Sequence, residues 1–259
     1  MITSRQNQHV KAARALLSSV KKRREAGRFV LEGLRLAEEA LAANWPLERA
    51  LYAPDLPARG QALLDQLAHR QVPAEECHPD ILASLSDTPS PQGLILIARA
   101  QSLPAPAKPQ FVLILDALSD PGNLGSLLRS ARAAGVDAVW LAPDCADPLA
   151  PKVLRAAMGA HFRLPLFPMD WPQIAQEAAA HRLKLFLSDV ATGTNYRSAD
   201  YAAPLALIIG SEAHGAGEAA RSLEHQAIHI PMRADSESLN AAAAGAVLLF
   251  EIAAQKSAA

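Results

Sequence analysis

Three stretches carry residues whose types and spacing suit chemistry. The first runs through Asp120-Pro121-Gly122-Asn123 and on to Arg129. Pro121-Gly122 forces a turn, and Asn123 then stands at a helix start. Arg129 follows six residues later, under two helical turns, and so projects near the same end of the sheet. The second is IGSEAHGAG, residues 209–217, where Gly210, Gly215 and Gly217 leave backbone N–H groups open around one acid, Glu212. The third is residues 230–251, where Ile230-Pro231-Met232 leads through a polar loop to Ser238-Leu239-Asn240 at the mouth of an alanine-rich helix. Each has a plain structural reading: a turn, a glycine-rich connection, and a Ser or Asn cap accepting from free first-turn N–H groups. The functional reading makes all three the ligand-facing loops of one sheet. A dinucleotide loop matches poorly, because GxGxxG is absent.

The elements around these loops place them at strand ends and leave both readings open. Past residue 110, continuous apolar runs alternate with helical stretches. Strands are expected at 111–118, 136–142, 162–167, 183–190, 205–210 and 227–231. Helices are expected to about 134 and at 151–159, 171–181, 217–223 and 239–255. That alternation predicts an α/β fold with a doubly wound parallel sheet, in which ligands sit beyond the carboxyl ends of the strands. The stretch AQSLPAPAKPQ has three prolines and no apolar period, so 101–110 reads as a stiff linker. Residues 1–100 form a smaller α/β module. Its first helix, 4–18, is capped by Ser4, with Val10, Ala13, Leu16 and Leu17 on the apolar face.

Charge is unevenly spread. Residues 1–35 hold nine Lys/Arg against two acids, a charge of +7, on a chain whose net charge is −1. A basic arm on an acidic body suits a polyanion, with a solvated basic helix face as the alternative. Arg5, Lys11, Lys21, Lys22, Arg23 and Arg24 are the cations that would grip a nucleic-acid backbone. Cys77 and Cys145 stand far apart with no zinc spacing, which predicts a reducing compartment and no metal site. The N-terminus lacks an apolar targeting core and no run reaches membrane-spanning length. The expectation is therefore a soluble, cytoplasmic protein with no membrane partner.

Together the three loops resemble the motifs of the SpoU/TrmH family of RNA ribose 2′-O-methyltransferases, of the SPOUT class. The first matches as Asp120, Pro121, Asn123, Leu124, Gly125 and Arg129. The second matches as Gly210, Ser211, Glu212 and Gly215, and the third as Ile230, Pro231, Met232, Ser238, Leu239, Asn240 and Glu251. Residues Ser4, Arg5, Asn7, Val10, Lys11 and Leu31-Glu32-Gly33 resemble the RNA substrate-binding domain of many members. One departure is Ala157, which stands where a serine is common.

The resemblance implies an N-terminal domain of the ribosomal-protein L30e type over 1–100 and a SPOUT domain over 111–259 with a C-terminal trefoil knot. It implies S-adenosylmethionine as methyl donor, held by Gly210, Ile230 and Leu239, with Met232, Leu187 and Ser188 beside them. Arg129, Asn123, Glu212, Ser238 and Asn240 would form the catalytic group, and Asn7 would join the RNA-binding cations. The implied partners are a second copy, in a homodimer, and RNA. A 23S ribosomal RNA is favoured over transfer RNA, because the N-terminal module resembles that of the ribosomal enzymes. The alternatives are a transfer-RNA 2′-O-methyltransferase, a non-catalytic RNA-binding relative, and an unrelated nucleotide-binding α/β enzyme.

Overall fold

The computed structural model describes every residue except Pro89, Ala191, Ala213, 234–237 and Ala259. In chain order the elements begin with α1 (Gln8–Ser18), α2 (Val20–Ala26), β1 (Arg28–Glu32), α3 (Leu34–Ala42), β2 (Leu47–Tyr52), α4 (Ala58–His69), β3 (Ala74–Glu76), α5 (Pro79–Ala83) and β4 (Leu94–Arg99). There follow β5 (Phe111–Leu115), α6 (Pro121–Ala133), β6 (Ala138–Leu141), α7 (Pro151–Ala157), β7 (Leu166–Pro168) and α8 (Trp171–Ala180). The chain closes with β8 (Lys184–Asp189), β9 (Thr194–Asn195), β10 (Leu205–Ile209), α9 (Glu218–Ser222), β11 (Gln226–His229) and α10 (Ala241–Ala258). Among the described residues no helix is long and apolar enough to cross a membrane.

The chain divides into two compact units. One comprises residues 1–101 and 147–162, the other 102–146 and 163–259. Residues 147–162 thus pack with the N-terminal unit, although they lie inside the span that the sequence assigns to the C-terminal module.

The first unit is a four-stranded sheet in the order β1-β4-β2-β3, with β1 and β2 antiparallel to β4 and β3 parallel to β2. Helix α1 lays Val10, Ala13 and Leu16 on Val30, Leu51, Ile95 and Ile97. Those helix positions recur every three residues, enough for one apolar stripe over three turns. The cap is Asn7, whose side chain accepts from the His9 N–H at 2.8 Å; Ser4 accepts from the Gln6 N–H instead, so the helix begins four residues later than expected.

The basic run Lys21–Arg24 is helical, and its third cation is not available to RNA. Arg23 is 4 % exposed; its Nε and Nη2 meet Asp147 Oδ2 at 2.7 and 2.6 Å, and its Nη1 donates to the Leu16 carbonyl at 2.6 Å. Arg23, expected among the cations that grip RNA, is instead a structural cation.

Residues 147–162 are fastened further along by Arg155, which donates to Glu32 at 2.9 Å, and by Phe162, edge-on to Trp45 with centroids 5.1 Å apart. Ala157 is buried there. His161 is buried beside the Pro148 carbonyl, 2.7 Å from its Nε2, and desolvation pulls its pKa down to about 4. A histidine neutral in the fold binds a proton more readily when unfolded. Stability is therefore expected to be full above about pH 6.5 and to fall towards pH 4, where the loss levels off. Urea midpoints against pH for the protein and for His161→Phe check this; equal slopes in both would refute it.

The second unit is a seven-stranded sheet, β7-β6-β5-β10-β8-β11-β9, with every pairing parallel. Strands β5 and β10 are buried along their whole length, as their unbroken apolar runs require. Ile174 and Ala178 of α8 and Ala220 of α9 cover the face carrying Val112, Ile114, Ala206 and Ile208. Helices α6 and α10 pack against each other, and α10 also packs on β10. Gly245 permits this, since a Cβ there would run into Leu127 of α6. Two local expectations differ. The strand expected at 162–167 is only three residues long, because Ala160–Phe162 is a tight helical turn. The two-residue β9 is too short to leave a period in the sequence.

Candidate functional site

The three loops follow the carboxyl ends of β5, β10 and β11, and side chains from all three meet. Asp120 caps α6 by accepting from the Asn123 N–H at 2.8 Å, which fixes Asn123 in the first turn. Asn123 Nδ2 donates to Glu212, and Asn123 Oδ1 accepts from Asn240 Nδ2 at 2.9 Å. Asn240 Oδ1 in turn accepts from the Ala242 and Ala243 N–H groups at 3.0 and 3.2 Å. Asn240 therefore caps α10 and also closes a side-chain relay, Glu212–Asn123–Asn240, that links all three loops. The capping reading of that residue is met.

The glycine loop is folded on itself. Ser211 and Gly215 exchange backbone hydrogen bonds of 2.9 Å in both directions, and the Gly217 N–H donates to the buried Asp116 carboxylate at 2.7 Å. Gly210 lies flat against the Gly215–Ala216 backbone, leaving no room for a Cβ. Gly210→Ala is expected to force the loop open and reduce small-ligand binding at the cleft beyond detection by calorimetry. Retained binding would show that the close approach is dispensable.

A cleft lies between these walls, lined by Ser188, Gly210, Glu212, Met232, Ser238 and Leu239 among others. Its volume is about 100 Å³; a groove of about 400 Å³ beside Trp140 and Phe167 is larger but lies away from the three loops. Chemistry, not volume, selects the smaller one, because polar side chains from three strand ends converge on it.

Most of the anticipated residues are brought together. Gly210, Ile230, Met232, Leu239 and Ser188 line the cleft, as do Glu212 and Ser238. Leu187 is fully buried within β8 and does not line it. Arg129 is exposed on α6 and is absent from the cleft wall, about 9 Å further along the helix than Asn123. The sequence reading missed Asp189 and Val190 and gave Ser211 no binding role, although all three line the cleft. The signal for the first two was available, since they directly follow Leu187 and Ser188 at the end of β8. The polar loop between Met232 and Ser238 lies, apart from Arg233, outside the described residues. Neither cysteine fits a nucleophile, because burial pushes both thiols up to about 11. Among the described residues no cluster of His, Cys, Asp or Glu could hold a metal ion.

Residues 110–250 match the family model described as SpoU rRNA Methylase. The chain belongs to this family. Residues 7–96 match a second model, the MRM3-like substrate binding domain. Among curated relatives, the chain is 30 % identical to the 23S rRNA (guanosine(2553)-2′-O)-methyltransferase of Bacillus subtilis, covering 97 % of this chain and 98 % of that protein. It is 31 % identical to the 23S rRNA (uridine(2479)-2′-O)-methyltransferase of Streptomyces viridochromogenes, over 98 % and 92 %. Among solved structures, the SpoU methyltransferase AviRb from Streptomyces viridochromogenes in complex with AdoMet superposes with a TM-score of 0.88 at 28 % identity, covering 97 % and 99 % of the two chains. The AdoMet-bound rRNA methyltransferase of Sinorhizobium meliloti gives 0.86, also at 28 %, over 97 % and 96 %.

Proposed function

We propose that this SpoU protein methylates a ribose 2′-hydroxyl in ribosomal RNA, with S-adenosylmethionine as donor. The observation that carries the reading is the Glu212–Asn123–Asn240 relay at the rim of a cleft whose floor is Gly210. The residues fit the cofactor. Ile209, Ile230, Met232 and Leu239 offer an apolar wall for a purine, while the polar side chains of Ser188, Ser211 and Ser238 stand among them. When bound, the cofactor supplies an electrophilic methyl on a sulfonium.

The chain's own groups must then hold and polarise the attacking hydroxyl. Asn123, Glu212, Ser238 and Asn240 supply donors and acceptors on that side. A guanidinium has donors only and no lone pair to accept a proton, so Arg129 serves as a clamp on the neighbouring phosphate and a stabiliser of developing alkoxide, not as the base. Arg129→Lys keeps the charge and loses the fork. At least a tenfold fall in turnover is expected; near-full turnover would rule out the clamp.

On the RNA side, Arg5, Lys11 and Arg24 are exposed, while Lys21 and Lys22 share Glu25 at 3.8 and 3.0 Å. Asn7 is committed to its helix cap through its oxygen and keeps its amide for a ligand. Ribosomal RNA is favoured over transfer RNA by the curated relatives and by the MRM3-like model. The domain reading is an RNA-binding module over 1–100 with a methyltransferase module over 111–259. A knotted C-terminus is supported by α10 packing on α6 and β10 after β11 has paired beyond β8. A homodimer is supported by the exposed stripe Ala243, Val247, Phe250 and Ala254 along α10. Mapping 2′-O-methylation across total RNA with and without the gene tests the function. Loss of one ribosomal position is expected, and an unchanged map would reject it.

A further inference from the structure

We propose that Arg221 is a positioning residue for the cofactor cleft, acting as a clasp between the glycine loop and the end of β8. This rests on the cofactor reading above. None of the three sequence motifs includes it, and it does not line the cleft.

The two walls it joins come from distant parts of the chain. One is the glycine loop, whose Gly210, Ser211 and Gly215 face the cleft; the other is Ser188, Asp189 and Val190. Arg221 lies on α9, just after the loop. Its Nε donates to the Ala216 carbonyl at 3.0 Å, and its Nη1 donates to Asp189 Oδ2 at 3.0 Å. One rigid guanidinium therefore sets the distance between the walls, using two donors that point in different directions. The other Asp189 oxygen, Oδ1, accepts from the Thr192 N–H at 3.3 Å, which holds the carboxylate in line for the clasp. The far end of the glycine loop is pinned separately, by Asp116 at Gly217. Loss of Arg221 therefore frees only the wall that faces β8, the cofactor side, and leaves the Asn123 side anchored.

The geometry also explains why the loop needs this fastening. Four glycine and alanine positions, Gly210, Gly215, Ala216 and Gly217, carry almost no side chain with which to pack. Backbone hydrogen bonds and the single Ala216 methyl in the core hold them, and Arg221 reaches across the open side of Gly215, where Nη2 lies 3.6 Å from the position a Cβ would take. Arg221 is 46 % exposed on its side chain and Asp189 13 %, so the pair is part-screened and its worth is as a spacer more than as a charge.

The test uses the full chain and titrates S-adenosylmethionine by calorimetry beside steady-state kinetics. Arg221→Met is expected to raise both Kd and KM for the cofactor about tenfold, the factor that losing one charge-assisted hydrogen bond corresponds to. The kcat at saturating cofactor should fall far less, and the Kd for RNA should hold. Arg221→Lys should recover only part of the loss, since an ammonium reaches Asp189 or the Ala216 carbonyl but does not span both in one plane. If Arg221→Met does not fold, Asp189→Asn probes the same clasp from its other end with the same expected split. Unchanged cofactor affinity in a folded variant overturns the proposal, as does a parallel loss of cofactor and RNA affinity. An unaltered chain that binds no cofactor removes the underlying reading instead.

Discussion

Replacing Arg23 with alanine is expected to lower the unfolding free energy by about 3–5 kcal/mol, the usual cost of leaving one partner of a buried ion pair alone. Arg23 makes four polar contacts: two to Asp147, and two to the Leu16 and Leu17 carbonyls at 2.6 and 3.3 Å. Those carbonyls belong to the last turn of α1, where helix geometry leaves no intrahelical partner. Truncation therefore strands a part-buried carboxylate and two acceptors at once. Arg24, next in sequence, is exposed, and Arg24→Ala should change stability by less than about 0.5 kcal/mol. The double substitution Arg23→Met with Asp147→Leu should recover most of the loss, because well-packed apolar groups replace such pairs with little penalty. Urea unfolding curves of the four proteins decide it. Similar midpoints for the Arg23 and Arg24 variants would show that the pair contributes nothing.

That contrast marks where the sequence stops being informative. The parallel sheet is legible because buried parallel strands demand unbroken apolar runs, and 111–115 and 205–209 are such runs. The site is legible through the family resemblance that the three loops carry together, since turn, glycine and cap chemistry at each loop alone leaves a purely structural reading open. The run Lys21–Arg24 is different. Four adjacent cations carry no helical phase of their own, so nothing in them says which one turns inward. The partner that decides, Asp147, is 124 residues away. The same holds for the allegiance of 147–162, whose Arg155 reaches back 123 residues to Glu32. Local pattern gives the helix but not the unit it packs with. Arg221 escapes for a related reason, since its role depends on two acceptors, Ala216 and Asp189, that sequence spacing does not bring together.

The cleft relay supports the second large expectation. Asn123→Ala should lower the rate of methyl transfer by on the order of 10²–10³, the loss found when one preorganised donor is removed from a reacting centre. The fold should survive, because the Asp120 cap contacts the backbone N–H of residue 123, which alanine retains. What disappears is the amide that donates to Glu212 and accepts from Asn240. Glu212 is then free to swing, and α10 keeps only the capping half of Asn240. Asn123→Asp separates shape from polarity. Its carboxylate still accepts from Asn240 but faces Glu212 with like charge, which favours one shared proton between the two acids. With that proton the pair again has a donor pointing at Glu212. The ratio of Asp-variant to unaltered rate should therefore rise as pH falls, while the alanine variant stays flat. Single-turnover methyl incorporation at saturating donor and RNA, run across pH, measures both. An alanine variant within about threefold of the unaltered rate would place the relay outside catalysis and leave it the task of joining three loops.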